Sequence, residues 1–271
     1  MKGTGQWRRV NRGRGHSYYD PDGQAVPGVT TLLRAFPKPQ LVDWAARSVA
    51  EWAGDFKDEF GEMRPSEVTK AALDAFHGGR RGAMAKGKTI HELAEHLLKG
   101  EEVEVAPAEE RHVDRFLEWV ADFRVEPVAC EAVIVNRGWS YCGTCDLIAY
   151  VDGQLALVDY KTGASGVWPE TALQLAAYAW SEAYLDPVSG DERTMPLAPD
   201  EPLSKAKPEG TARFDLVAAL WLQDDKYELV PVDAGKGTWQ TFLYVAQLAA
   251  WMETPREEIV LPALAAKEMA K

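Results

Sequence analysis

SYCGTCDLIAYVDGQLALVDYK, residues 140–161, is two runs rich in Val, Ile, Leu and Tyr joined at Asp152-Gly153. Asp-Gly is the pair that a two-residue hairpin turn selects, so the stretch predicts two adjacent antiparallel strands, Ser140 to Val151 and Leu155 to Tyr160. A turn at that place pairs positions whose numbers sum to about 305, which sets Asp146 opposite Asp159. Alternation along the second strand puts Asp159 and Lys161 on one side and Tyr160 on the other. Upstream, Cys130 to Val135 predicts a third strand, set off by Asn136-Arg137-Gly138. Downstream, Trp168 to Leu185 reads as helix, Phe214 to Leu222 and Tyr227 to Val232 as two further strands, and Gly237 to Glu253 as a final helix. Between them, 186–212 carries Pro187, Pro196, Pro199, Pro202 and Pro208 and reads as a long loop or insertion.

The first 125 residues have a different texture. Residues 16–28 predict a short hairpin turning at Asp20-Pro21-Asp22-Gly23, with Thr30 or Thr31 capping a short helix through Leu33. Gln40 to Trp52, Pro65 to Phe76, Lys86 to Lys99 and Ala108 to Phe123 have helical spacing, with Gly78, Gly79 and Gly82 expected to break the second from the third. The expectation is one domain over 1–271, α/β or α+β: a mainly helical part over 1–125 and a strand-helix-strand core over 126–253.

Composition narrows the classes. A hydrophobic fraction of 46% and a charged fraction of 27% over 271 residues are those of an ordinary globular chain, not a rod or a disordered one. No apolar run approaches the ~20 residues of a membrane span, and the basic start leads into no apolar signal core, so no membrane partner is expected. Cys130, Cys142 and Cys145 are too few for a disulfide scaffold and suit a reducing, cytoplasmic setting. Thirty Lys and Arg against 42 Asp and Glu give a net charge of −12, yet the cations are clustered. Lys2, Arg8, Arg9, Arg12 and Arg14 lie within 1–16, and Arg80, Arg81, Lys86 and Lys88 within 77–91, neither stretch holding an acid. Such islands are solvated surface or phosphate contacts, and composition alone leaves both open.

Two carboxylates set side by side repel each other and are costly to bury unpaired. A hard divalent cation removes that conflict, and oxygen donors suit Mg²⁺ or Mn²⁺. Lys161 beside Asp159 is then placed to hold a water and to neutralise charge developing on a phosphate. The plainer alternative is a salt-bridge cluster on a sheet edge. Two other motifs are decoys. His91-Glu92-Leu93-Ala94-Glu95-His96 lacks the i, i+4 histidine pair of a zinc-protease helix. Cys142 and Cys145, three apart on a strand, point to opposite faces.

With Asp146, then Asp159-Tyr160-Lys161, then Gln174-Leu175-Ala176-Ala177-Tyr178 in order, the chain resembles the RecB-type nucleases of the PD-(D/E)XK superfamily, similar to phage-type, CRISPR-associated and mitochondrial genome maintenance exonucleases. Gly87-Lys88-Thr89-Ile90-His91 matches the upstream histidine of that family, and Gly28-Val29-Thr30-Thr31-Leu32-Leu33 resembles its phage-encoded members. The resemblance implies a restriction-endonuclease-like core, a mixed central sheet flanked by helices. It implies Asp146, Asp159, His91 and the Tyr160 backbone carbonyl as metal ligands, and Lys161 as the residue positioning water. Gln174 and Tyr178 would brace the site and touch DNA, with Glu131 on the preceding strand in a lesser role because an edge-strand acid is commonly solvated. DNA contacts are expected from Thr30, Arg80, Arg81, Lys86 and Lys88, and stacking from Trp7, Tyr18, Tyr19, Trp168 and Trp180. The implied activity is a Mg²⁺- or Mn²⁺-dependent deoxyribonuclease, an exonuclease on single-stranded DNA ends with 5′→3′ polarity favoured, in phage or bacterial replication, recombination or repair. No iron–sulfur cluster is expected, because no cysteine follows Cys145. Two rivals remain: a DNA-end-binding recombination accessory without catalysis, and a structure-specific endonuclease of the same fold.

Overall fold

A computed structural model of the chain describes residues 5–13, 15–163, 165–199 and 213–262, apart from the side chains at 61 and 79–84. Lys2 and Arg14 of the first basic island, the side chains of Arg80 and Arg81 in the second, and 200–212 of the proline-rich segment lie outside the described residues.

The chain opens with a small antiparallel sheet, β1 (Arg8–Arg12), β2 (Gly15–Tyr19) and β3 (Ala25–Val26). Helices α1 (Val29–Leu32), α2 (Pro39–Asp55), α3 (Pro65–Leu98) and α4 (Glu110–Asp122) follow. Strands β4 (Glu126–Asn136), β5 (Tyr141–Val151) and β6 (Gln154–Lys161) lead to α5 (Pro169–Ala179). The rest is β7 (Ala183–Leu185), β8 (Glu192–Thr194), β9 (Leu216–Leu222), β10 (Tyr227–Pro231), α6 (Lys236–Met252) and α7 (Arg256–Ile259). The main sheet has the order β10-β9-β6-β5-β4-β7-β8 and is mixed: β6 and β9 run parallel, the other neighbours antiparallel. The architecture is α+β, in agreement with a restriction-endonuclease-like fold.

The hairpin that decides the fold forms as read. Asp152 and Gly153 take φ of 51° and 82°, the doubly left-handed turn that matches strand twist and that glycine adopts without cost. Pairing runs from Val151↔Gln154 to Leu147↔Val158, so the next position sets Asp146 beside Asp159. Alternating residues bury on both faces. Leu157, Ile148 and Ile134 pack with Leu175 and Tyr178 of α5 and Phe242 of α6. Val158, Tyr160 and Leu147 pack with Ile90 of α3 and Phe116 and Trp119 of α4. Burial on both faces explains why these strands read as near-continuous apolar runs.

Several expectations are corrected. The glycines at 78, 79 and 82 do not break the helix: α3 is continuous over 34 residues. A helical glycine costs about 1 kcal/mol but keeps its backbone hydrogen bond, and there is no proline after Pro65 to remove one. Ile90 and Ala94, both buried, then fix its C-terminal half to the core. The α5 helix stops at Ala179, and Ala183–Leu185 is a strand, because pairing with β4 overrides local helical spacing. Ahead of α1 the mainly helical 1–125 part holds the β1–β3 sheet, and the proline-rich segment contains β8. Gly28, not Thr30 or Thr31, is the N-cap of α1, with no side-chain cap.

Candidate active site

The site lies where α3, β4, β5, β6 and α5 converge. Asp159 faces α5. Its Oδ2 is 2.5 Å from Lys161 Nζ, and its Oδ1 accepts a 2.8 Å hydrogen bond from Gln174 Nε2. Gln174 also accepts from Lys161 Nζ at 3.3 Å and lies 3.1 Å from the Tyr178 hydroxyl. The four side chains form one closed set, and one helical turn separates Gln174 from Tyr178. Their support is steric. A Cβ at Gly143 would lie 2.5 Å from Tyr178 Cε1, so the ring rests on bare β5 backbone. Gly143→Ala is therefore expected to destabilise the fold by roughly 1–3 kcal/mol, as overpacking does. A thermal melt measures it, and an unchanged Tm would mean that Tyr178 is free to move aside.

Asp146 faces α3. Its Oδ2 accepts from the Tyr160 backbone N–H at 2.7 Å, and its Oδ1 is 3.4 Å from His91 Nδ1. The other imidazole nitrogen, Nε2, donates to the Tyr160 carbonyl at 3.1 Å. That bond orients the ring and leaves Nδ1 directed at Asp146. The Tyr160 ring points away, edge-on to Phe116 in the core.

Glu131 completes the group. Its strand β4 pairs with β5 along one side, while pairing with β7 on the other covers only Val133 to Val135, so Glu131 sits just beyond the covered part of that edge. Alternation shifts phase there: Cys130 and Leu147 pack toward α3 and α4, whereas their neighbours in register, Ala132 and Cys145, pack toward α5 and α6. Glu131 itself adopts φ of 52°, a left-handed value for a non-glycine residue. Such irregularities re-aim a side chain, and here the result is a row of acids, Glu131, Asp146 and Asp159, across three adjacent strands. One donor atom from each of His91, Glu131 and Asp146 lies within 4.8 Å of the others.

The electrostatics follow from crowding. Burial, and then the Asp146 carboxylate, push Glu131 up to about 7. Burial opposes the ionised form of Asp146, but the His91 imidazolium outweighs it and holds Asp146 below the usual carboxylate range. Burial likewise works against a charged His91, and the Asp146 carboxylate overcomes it, pushing His91 up to about 9. Burial raises Asp159 despite Lys161, while Asp159 raises Lys161 against its own burial and keeps it an ammonium. The donor set fits a hard divalent cation: oxygens plus one imidazole whose far nitrogen is already anchored, in a cluster whose carboxylates repel one another. Asp159 lies beside the three-residue cluster with its oxygens engaged by Lys161 and Gln174, and the Tyr160 carbonyl accepts from His91.

A cavity of about 270 Å³ opens over the group and is also lined by Arg9, His16, Tyr18, Thr30 and Thr144. Thr30 is exposed there. Lys88 lines a second, larger groove and pairs with Glu92, whereas Lys86 pairs with Asp224 beside a separate cavity. Of the aromatic candidates, Tyr18 is buried but lines the cavity, Tyr19 is buried, and Trp180 stacks on Trp239. Trp168 is exposed. Arg9 and Thr144 at the cavity, and the central place of Glu131, are not apparent from spacing.

Comparison with known proteins agrees with this geometry. The family model described as the PD-(D/E)XK nuclease superfamily matches residues 71–190, a span that carries His91, Glu131, Asp146, Asp159, Lys161, Gln174 and Tyr178. The segment that builds the site is a PD-(D/E)XK nuclease-superfamily segment, and that superfamily suggests a nuclease. A solved structure described as "Crystal structure of SSO0001" aligns at 16% identity over 88% of this chain and 86% of that one, with a TM-score of 0.34, too low to carry an argument. No curated protein matches the chain. Among the described residues no helix is long and apolar enough to cross a membrane.

Proposed function

We propose that the chain is a divalent-metal-dependent deoxyribonuclease acting as an exonuclease on single-stranded DNA ends, in phage or bacterial replication, recombination or repair. The observation that carries the reading is the row Glu131, Asp146 and Asp159 across β4, β5 and β6, closed by His91 on one side and Lys161 on the other. His91, Glu131 and Asp146 would hold the cation, with Asp159 and the Tyr160 carbonyl beside them. When bound, Mg²⁺ or Mn²⁺ supplies Lewis acidity toward the scissile phosphate and a lowered pKa for water. Lys161, an ammonium fixed by Asp159 and Gln174, aims the attacking water and offsets charge gathering on the phosphoryl oxygens. Gln174 sets the Lys161 rotamer and is itself set by Tyr178, so the amine stays in place without substrate.

Support for end-directed action comes from α2 and the first half of α3. They form a helical hairpin, joined through Trp44 and Phe76, and α2 buries no residue. Such a hairpin, continuous through α3 with the turn that carries His91, suits a strand passed through from its end. Polarity is proposed as 5′→3′, on the resemblance to phage-type exonucleases.

The test uses linear and circular single-stranded DNA, end-labelled and internally labelled, with Mg²⁺ or Mn²⁺. The expected result is nucleotide release from the linear strand, 5′ label first, with the circle intact. Cutting of the circle supports the endonuclease reading. DNA binding without any cutting supports the accessory one.

A further inference from the structure

Arg9 lies on β1, outside the segment that the superfamily match covers, and no part of the reading above uses it. Its register partner is Tyr18, which places both side chains on one face of the β1–β2 hairpin. Both converge on Thr144 of β5. The Tyr18 hydroxyl is 2.8 Å from Thr144 Oγ1 and 2.9 Å from His16 Nε2, and Arg9 Nη1 donates to the same Oγ1 at 3.3 Å. The hairpin thus delivers one guanidinium to the catalytic strand and locks its approach through a buried tyrosine.

The second contact of Arg9 is Glu131, with Nη1 3.3 Å from Oε2. Both contacts use the same terminal nitrogen at long distance, and Nε is buried with no partner. The side chain is 29% exposed, so the group reaches open space. Lys161, the other fixed cation here, is held at 2.5 Å by Asp159. Arg9 is also shared by two spaces, the 270 Å³ cavity over the acids and a groove of about 810 Å³ lined by Trp7, Arg8, Lys88 and Pro187. His91 and Glu131 are the other residues common to both, so the two spaces meet at the proposed cation site.

A phosphodiester brought to that junction adds a negative charge to a row of three carboxylates. A guanidinium with unused donors in a planar fork is the group best suited to receive it. We propose that Arg9 binds the phosphodiester of the substrate strand at the junction of cavity and groove, so that the N-terminal hairpin adds a phosphate contact from outside the superfamily segment. The proposal rests on the nuclease reading. A purely structural Arg9 would instead serve only to neutralise Glu131.

The test compares the full chain with Arg9→Lys and Arg9→Met. Turnover on linear single-stranded DNA with Mn²⁺, the affinity for Mn²⁺ alone, and binding of a labelled oligonucleotide in EDTA are measured. Losing a phosphate donor is expected to cost roughly 10²-fold in kcat/KM for Arg9→Met and less for Arg9→Lys, which keeps charge but not the fork. Oligonucleotide binding in EDTA should weaken by about tenfold in Arg9→Met, the size of one charged contact, while Mn²⁺ affinity stays within about threefold. Arg9→Met turning over like the wild type overturns the proposal, as does a loss that tracks weakened Mn²⁺ affinity step for step. A wild type that releases no nucleotide overturns the nuclease reading and the Arg9 role with it, whereas a wild type that cuts beside indifferent variants overturns the Arg9 role alone.

Discussion

Lys161→Ala is expected to lower nucleotide release by roughly 10²–10⁴-fold, the range for losing a group that positions a nucleophile and stabilises developing charge. DNA binding should be nearly unchanged. The ammonium is held inside the site by Asp159 and Gln174, so it contributes little to the surface that tracks the strand. Arginine at the same place should not rescue, because a planar fork cannot reproduce a point charge held at 2.5 Å from Asp159 Oδ2. Single-turnover cleavage with binding measured by anisotropy separates chemistry from affinity. Equal cutting by Lys161→Ala and wild type would remove Lys161 from the mechanism.

Asp146→Asn should be as damaging by another route. The amide keeps the shape and can still accept from the Tyr160 N–H, but it takes away the central charge of the cation site. A metal ion contributes several kcal/mol of charge stabilisation, so a loss of roughly 10³-fold in turnover is expected, with Mn²⁺ affinity falling in parallel. The substitution also leaves a mark that needs no metal. In the wild type, Asp146 raises His91 from 6.5 to about 9. A raised histidine gives stability that is fully present below 6.5 and is lost as pH rises through about 9. Asp146, held below its ordinary 3.8, gives stability present above that value and lost as pH falls below it. Wild type minus Asp146→Asn should therefore show its largest Tm difference between those limits, in EDTA, shrinking above pH 9 and at the acid end. A difference flat across pH would mean that His91 and Asp146 are not coupled.

Much of this arrangement is legible in the sequence because the decisive contacts are local. Asp152-Gly153 fixes a turn, the turn fixes a register, and the register alone brings Asp146 to Asp159. Helical spacing sets Gln174 and Tyr178 one turn apart on α5, while their place in the site comes from the resemblance. What is not legible depends on phase and on distant pairing. Nothing in the residues around Glu131 announces a left-handed backbone or a shift in strand alternation, so its place between Asp146 and Arg9 emerges only in three dimensions. The continuity of α3 through three glycines is not legible because glycine lowers helix propensity without removing a backbone hydrogen bond, so a local pattern cannot tell a tolerated glycine from a break. Arg9 reads as one cation in a basic island, and only the pairing of β1 with β2 shows which of those cations faces the acids.

The central claim is that these buried acids form a cation site, and anomalous diffraction from crystals soaked in Mn²⁺ tests it most directly. The account predicts a peak bounded by His91, Glu131 and Asp146, with Asp159 beside it and Lys161 still paired to Asp159. Saturating Mn²⁺ that leaves no peak there, with His91 still resting against Asp146, would contradict it.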